Sequence, residues 1–296
     1  MLAVPSPGTR SPGGELARDQ AVRAALITAP PGAVVSHWWA AQRHGLWTPQ
    51  RPDTHVHLTV PGDHDDMDHG VRLHGSALPP EFVVRRGGVT LTSISRTAVD
   101  VARGQRLPEA LMVLDSAARL IGGAVGSTSA LRDLGRRQAA LRDALIELRA
   151  AYDSVWSWPG SVIVRQAIPY VDPGSESPFE STSRGWLILD GVPAPRVGMP
   201  IRGASGAAYF GDFVWEASRL VGEADGLGKY GGNDSDVRAT LAAERRRQVD
   251  LEEAGWRFVR WDPREIPHSW LRRLRLQLAS PLQVLKTTGV FEHMEG

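Results

Sequence analysis

The chain has 296 residues, 42% of them hydrophobic, and a formal net charge of +1. That is enough apolar material for one large or two medium domains and too little charge to draw the whole molecule to a polyanion. It contains no cysteine, which excludes disulfides, zinc-thiolate sites and cysteine nucleophiles and suits a reducing compartment. No run approaches about 18 uninterrupted apolar residues and the N-terminus carries no apolar signal core, so a cytoplasmic protein with no membrane partner is expected.

In chain order, "MLAVPSPGTRSPGGEL" is rich in Pro, Gly and Ser and predicts a flexible tail over 1–18. A mixed α/β domain is expected over 19–158. "AVVSHWWAAQRHGLW" predicts a helix capped by Ser36, and "THVHLTV", "VRLHG" and "GVTLTS" predict short strands. "SISRTAVDVARG", "LPEALMVLDSAARLIGG" and "STSALRDLGRRQAALRDALIELRAAY" carry apolar residues at helical spacing. Arg96 and Asp100 sit one helical turn apart, the spacing of an ion pair. His55 and His57 alternate on a strand without a third partner at defined spacing and are expected to face solvent. The acidic run "DHDDMDHG" reads as a solvated loop, and Trp38, Trp39 and Trp47 as packing for a core or a domain interface.

"SWPGSVIVRQAIPYVDPGSESP" interrupts this pattern with prolines and glycines and marks the boundary to a second domain over 159–296. There the order is helix ("FESTSRGWLILDG"), strand ("PRVGMPI"), strand ("AAYFGDFVW"), strand ("SRLVGEA"), helix ("DVRATLAAERRRQVDLEEAG") and strand ("WRFVRW"). The fold class is therefore α/β of the α+β kind, an αβββαβ core behind a smaller mixed domain.

The chemistry concentrates in "FGDFVWEASRLVGEADG". A hairpin turning about Ala217 and Ser218 sets Asp212 opposite Glu223, with Asp225 two residues further along the same face. Three converging carboxylates need positive charge among them, and a hard divalent cation, Mg2+ or Mn2+, on Asp212, Glu223 and Asp225 is the usual remedy. Lys229 follows two glycines, free to fold back beside such an ion and balance phosphate charge. Glu180 has two open roles, the N3 acid of a capping box with Ser177 or a further acid at the metal. The arginine clusters "ERRRQ" and "WRFVRWDPR", with Arg245, Arg246, Gln248 and Arg260, are candidate DNA contacts or simply solvated faces.

"SESPFES", "GDFVW", "LVGEADGLGKY" and "ERRRQVDLEEAGWRFVRW" together resemble actinobacterial very-short-patch-repair-like endonuclease domains of the PD-(D/E)XK superfamily, over roughly 172–266. The resemblance implies Mg2+-dependent cleavage of DNA, with Glu180 as the helix acid, Asp212 as the strand aspartate and Glu223 as the metal-binding (D/E). The motif lysine position holds Asp225. Lys229 in its place implies an active enzyme, its loss a nucleic-acid-binding relic, with Arg246 and Gln248 as substitutes for phosphate contact or water positioning. Upstream, "VVSHWWAAQRHGLW", "THVHLTVPG", "GVTLTSISRTAVDVA" and "LDSAAR" resemble the C-terminal portion of AbiEi-type abortive-infection antitoxins. That resemblance implies a protein partner for the N-terminal domain, and a winged helix is not expected before Ala21. The two resemblances leave two functions, a DNA endonuclease or a non-catalytic antitoxin or regulator.

Overall fold

The structure, a computed structural model, describes residues 12–49, 55–62, 65–68, 70–124, 131–225 and 234–279. The chain starts with helix α1 (Pro12–Thr28), so the latter part of the expected tail is helical. Six strands follow, β1 (Val34–Val35), β2 (Val56–Val60), β3 (Asp66–Asp68), β4 (Val71–Gly75), β5 (Val83–Arg86) and β6 (Val89–Thr92), in the sheet order β3-β4-β2-β1-β6-β5. Helix α2 (His37–His44) lies between β1 and β2. Val56 and Leu58 of β2 pack with Val22 and Ala25 of α1. Strand alternation therefore turns His57 and Thr59 to the other face.

A helical layer joins this sheet to the C-terminal half. It contains α3 (Ile94–Ala102), α4 (Leu107–Ile121), α5 (Leu134–Asp153) and α6 (Ser161–Ala167), and its core runs from Ala41 to Val171. Ser93 caps α3 through the Arg96 N–H at 3.2 Å, and the Arg96–Asp100 pair is fully buried at 3.0 Å. Helix α6 falls inside the segment that its prolines and glycines had marked as irregular.

The second half is the αβββαβ order expected from sequence: α7 (Pro178–Leu189), β7 (Arg196–Arg202), β8 (Ala208–Trp215), β9 (Leu220–Ala224), α8 (Asp234–Glu253) and β10 (Arg257–Trp261), followed by α9 (Pro267–Ala279). The sheet order is β10-β9-β8-β7, with β9 and β10 parallel and the other neighbours antiparallel. Parallel strands need a crossover, and α8 supplies it. Odd positions Phe213, Trp215, Val259 and Trp261 pack with α7 and α9 on one face, where Trp261 stacks on Trp270 at 4.6 Å between centroids. Val214 and Val221 turn to the opposite face, under Leu251 of α8. Among the described residues no helix is long and apolar enough to cross a membrane.

Helices α4 and α7 bind the two halves together. An added Cβ at Gly185 would lie 2.4 Å from Cα of Pro108, so α7 crosses α4 at glycine distance. Alanine in a helix interior normally adds about 1 kcal/mol of stability over glycine. Here Gly185→Ala is expected to cost about 1–3 kcal/mol by overpacking, read from urea unfolding; a stabilised variant would refute the close approach.

Candidate functional site

The acidic row is built by strand register. Phe213 pairs with Gly222, Val214 with Val221 and Trp215 with Leu220 around the turn at 216–219. The paired register ends there; beyond it, Asp212 meets β9 through its side chain, whose Oδ2 accepts the Ala224 N–H at 3.0 Å. Across the parallel side of β9, Glu223 pairs with Arg260. Glu223 and Arg260 thus sit side by side on neighbouring strands, on the face covered by α8.

Glu223 is buried, 5% exposed, and each of its oxygens meets an arginine. Arg247 Nη1 donates to Oε1 at 2.7 Å and Arg260 Nε to Oε2 at 2.6 Å. Burial pushes the Glu223 carboxyl up, but the two guanidinium groups outweigh it and hold it below its ordinary value. Arg247 also donates to the Phe210 carbonyl at 2.8 Å and to Glu244 at 2.7 Å. Asp225 lies 3.8 Å from Arg260. The positive charge that the sequence assigned to a divalent ion is, at Glu223, supplied by side chains.

Glu180 and Asp212 form the other half of the site. The capping box holds Glu180 at the start of α7, with its N–H donating to Ser177 Oγ at 3.1 Å and its own carboxylate accepting from Ser177 Oγ at 2.8 Å. The return bond comes from the Glu176 N–H, at 2.7 Å, one residue earlier than a capping box would use. Burial, and after it the charge of Asp212, pushes Glu180 up to about 8. Asp212 Oδ2 accepts the Ala224 N–H at 3.0 Å. Arg132 closes this side, bidentate to Glu176 at 2.7 and 3.0 Å and 4.6 Å above the Phe210 ring.

The donor set therefore divides. Glu180 and Asp212 fit a hard divalent cation better, because both offer carboxylate oxygens and those of Glu180 accept only from neutral donors, the Ser177 hydroxyl and the Glu176 N–H. Glu223 does not fit as a third ligand while both its oxygens accept arginine hydrogen bonds. Among the described residues the carboxylates expected to share an ion do not bring one oxygen each within 4.8 Å of one another.

Arg245 and Arg246 are exposed on α8, open to a phosphate backbone. Gln248 and Arg260 instead belong to the internal network, joined at 3.0 Å. Lys229 lies outside the described residues. Arg247 is the residue that sequence reading passed over within "ERRRQ". Its spacing of one helical turn before buried Leu251 was the available signal. No local signal marks Arg132, which reaches the acids from before α5.

A second constellation lies on the N-terminal sheet. His57, expected to face solvent, is 4% exposed and sits with His37 and His74, each offering one ring nitrogen within 4.8 Å of the others. His37 takes a left-handed backbone with φ 51, and its Nδ1 lies 2.9 Å from Ser36 Oγ. Ser36 stands at the N-cap of α2, but its hydroxyl does not cap the helix. Burial holds His37 well below its ordinary value and lowers His74 to about 4, in each case reinforced by a neighbouring histidine.

The chain is 29% identical over 207 residues to uncharacterized proteins of Mycobacterium tuberculosis from strains CDC 1551 and H37Rv, covering 69% of this chain and 65% of theirs. No family model matches the chain, and no solved structure matches it.

Proposed function

We propose that this protein binds DNA and hydrolyses its phosphodiester bonds with the help of Mg2+ or Mn2+ held by Glu180 and Asp212. The observation that carries this reading is the buried Glu180, pushed up to about 8 beside Asp212. Two acids kept so close, one of them neutral, are an arrangement that a hard cation would stabilise. Such an ion supplies Lewis-acid charge for the scissile phosphate and lowers the pKa of an attacking water. The chain's own residues do the rest. The Ala224 N–H orients Asp212, the Ser177 hydroxyl and Glu176 N–H orient Glu180, and Glu180 gives up its proton when the site is loaded. Arg245 and Arg246 meet the phosphate backbone from α8, while Arg247 and Arg260 hold Glu223 in place through its two oxygens.

The test is cleavage of supercoiled plasmid with Mg2+, Mn2+ or EDTA, alongside melting temperature with and without Mg2+. The parent should cut only with metal and melt higher in Mg2+, and Asp212→Asn should lose at least about 100-fold in rate and all of the Mg2+-dependent stabilisation.

One observation favours a second reading. A glutamate clamped by two arginines needs no ion, and with Asp225 in place of the lysine the site can serve as structure in a non-catalytic antitoxin-type regulator that binds a protein or nucleic acid. DNA binding without cleavage in any metal, together with a melting temperature indifferent to Mg2+, would select it.

A further inference from the structure

The geometry points to a transition-metal site of the zinc class formed by His37, His57 and His74, separate from the acidic row and independent of the hydrolase reading. Three elements build it. His57 lies on β2 and His74 on β4, which pairs in parallel with β2 so that Thr59 sits beside His74. With His57 and Thr59 on one face, both histidines look out from the same side of the sheet. His37 opens α2 directly after β1, and its ring stacks 3.8 Å from that of His74. A helix beginning in an ordinary extended-to-helical turn has no need of a left-handed residue; the φ of 51 at His37 accompanies a ring laid on the sheet histidines.

The spacing suits a metal. His57 Nδ1 and His74 Nε2 are 3.0 Å apart. Two nitrogens bound to one tetrahedral zinc at about 2.0–2.1 Å stand roughly 3.3 Å from each other, so a small parting of the rings admits the ion. The donor atoms decide its class. Three imidazole nitrogens with no carboxylate among them suit Zn2+, Co2+, Ni2+ or Cu2+ and are poor ligands for Mg2+. Three protein ligands leave a fourth position for water or an anion. On the same face, Thr59 Oγ1 is buried without a hydrogen-bond partner among the described residues, and Arg96 and Arg103 pair with Asp100 at 3.0 and 3.6 Å. An anionic fourth ligand, such as hydroxide, would offset part of the ion's charge beside these arginines.

The experiment titrates the full chain, stripped with EDTA, with Co2+ and follows visible absorbance, then displaces Co2+ with Zn2+ or Mg2+. One Co2+ per chain with the intense bands of a tetrahedral site, displaced by Zn2+ and untouched by excess Mg2+, is expected. The double variant His57→Gln/His74→Gln should bind at least about 100-fold more weakly, while His55→Gln, two residues before His57 and outside the cluster, should bind as the parent does. Equal uptake by the parent and the double variant overturns the site, as does a faint octahedral spectrum in the parent. If the double variant fails to fold, the parent's spectrum alone decides between these outcomes.

Discussion

Replacing Asp115 with alanine should destabilise the protein by about 3–5 kcal/mol, the cost of removing one partner from a buried ion pair. Asp115 is fully buried on α4, and its Oδ2 accepts from Arg184 Nη2 of α7 at 2.5 Å. Its other oxygen accepts the Asp172 N–H at 2.9 Å. Alanine would leave a guanidinium that is 7% exposed without its counter-charge and an amide without its acceptor. Burial already pushes the Asp115 carboxyl up against the pull of Arg184, so the pair is held at a cost and is more than a surface bridge. Urea unfolding measures the effect. Asp115→Leu combined with Arg184→Met should recover much of the loss, because paired apolar residues avoid the desolvation of both charges. A cost below about 1 kcal/mol for the single variant, the level of an exposed pair, would mean the bridge is open to water.

Stability should fall as pH rises from neutral toward 8, and Glu180 should be the reason. Its folded-state pKa of about 8 stands above the ordinary 4.5. The folded chain therefore keeps a proton that the unfolded chain releases. The contribution is complete below the ordinary carboxylate value and is lost as pH climbs through the folded value, at up to roughly 1.4 kcal/mol per pH unit. His37 and His74 act in the opposite sense, since both are lowered, but only up to the ordinary imidazole value of 6.5. Glu223, also lowered, acts only on the acid side. Asp100, Asp115 and Glu147 are raised in the same sense as Glu180, so the difference between parent and Glu180 variant over the window from 6.5 to about 8 reads the Glu180 share. Glu180→Gln keeps the cap, because its amide oxygen can accept the Glu176 N–H while its NH2 donates to the Ser177 hydroxyl, and should flatten the slope there. Asp212→Asn should flatten it in part. Parallel slopes for the parent and Glu180→Gln in urea unfolding would show that Glu180 is ionised across the window.

Much of the C-terminal half was legible because its signals are local. Alternating strands, the capping box at Ser177 and a hairpin turn centred on 217 and 218 fixed the αβββαβ order and the register of β8 against β9 from Phe213 to Trp215. What fills the space between the acids was not legible. Arg247 depends on how α8 is rotated over the sheet, and Arg132 arrives from a distant loop. The N-terminal sheet shows the same limit. His57 alternates as a half-exposed strand would, yet both faces of β2 are covered, and its partners His37 and His74 come from other elements. Strand β3 and helix α6 were missed because acidic residues and a Pro/Gly-rich context outweighed short periodic runs.

The bridge between α4 and α7 also sets an order of events during synthesis. Asp115 precedes Arg184 by 69 residues, which at 5–20 residues per second is a delay of roughly 3–14 s. For that interval the nascent N-terminal half carries a buried-type aspartate without its cation and an α4 surface at Pro108 without its cover. The face of α4 at Asp115 and Pro108 therefore stays uncovered until α7, with Arg184 and Gly185, has emerged.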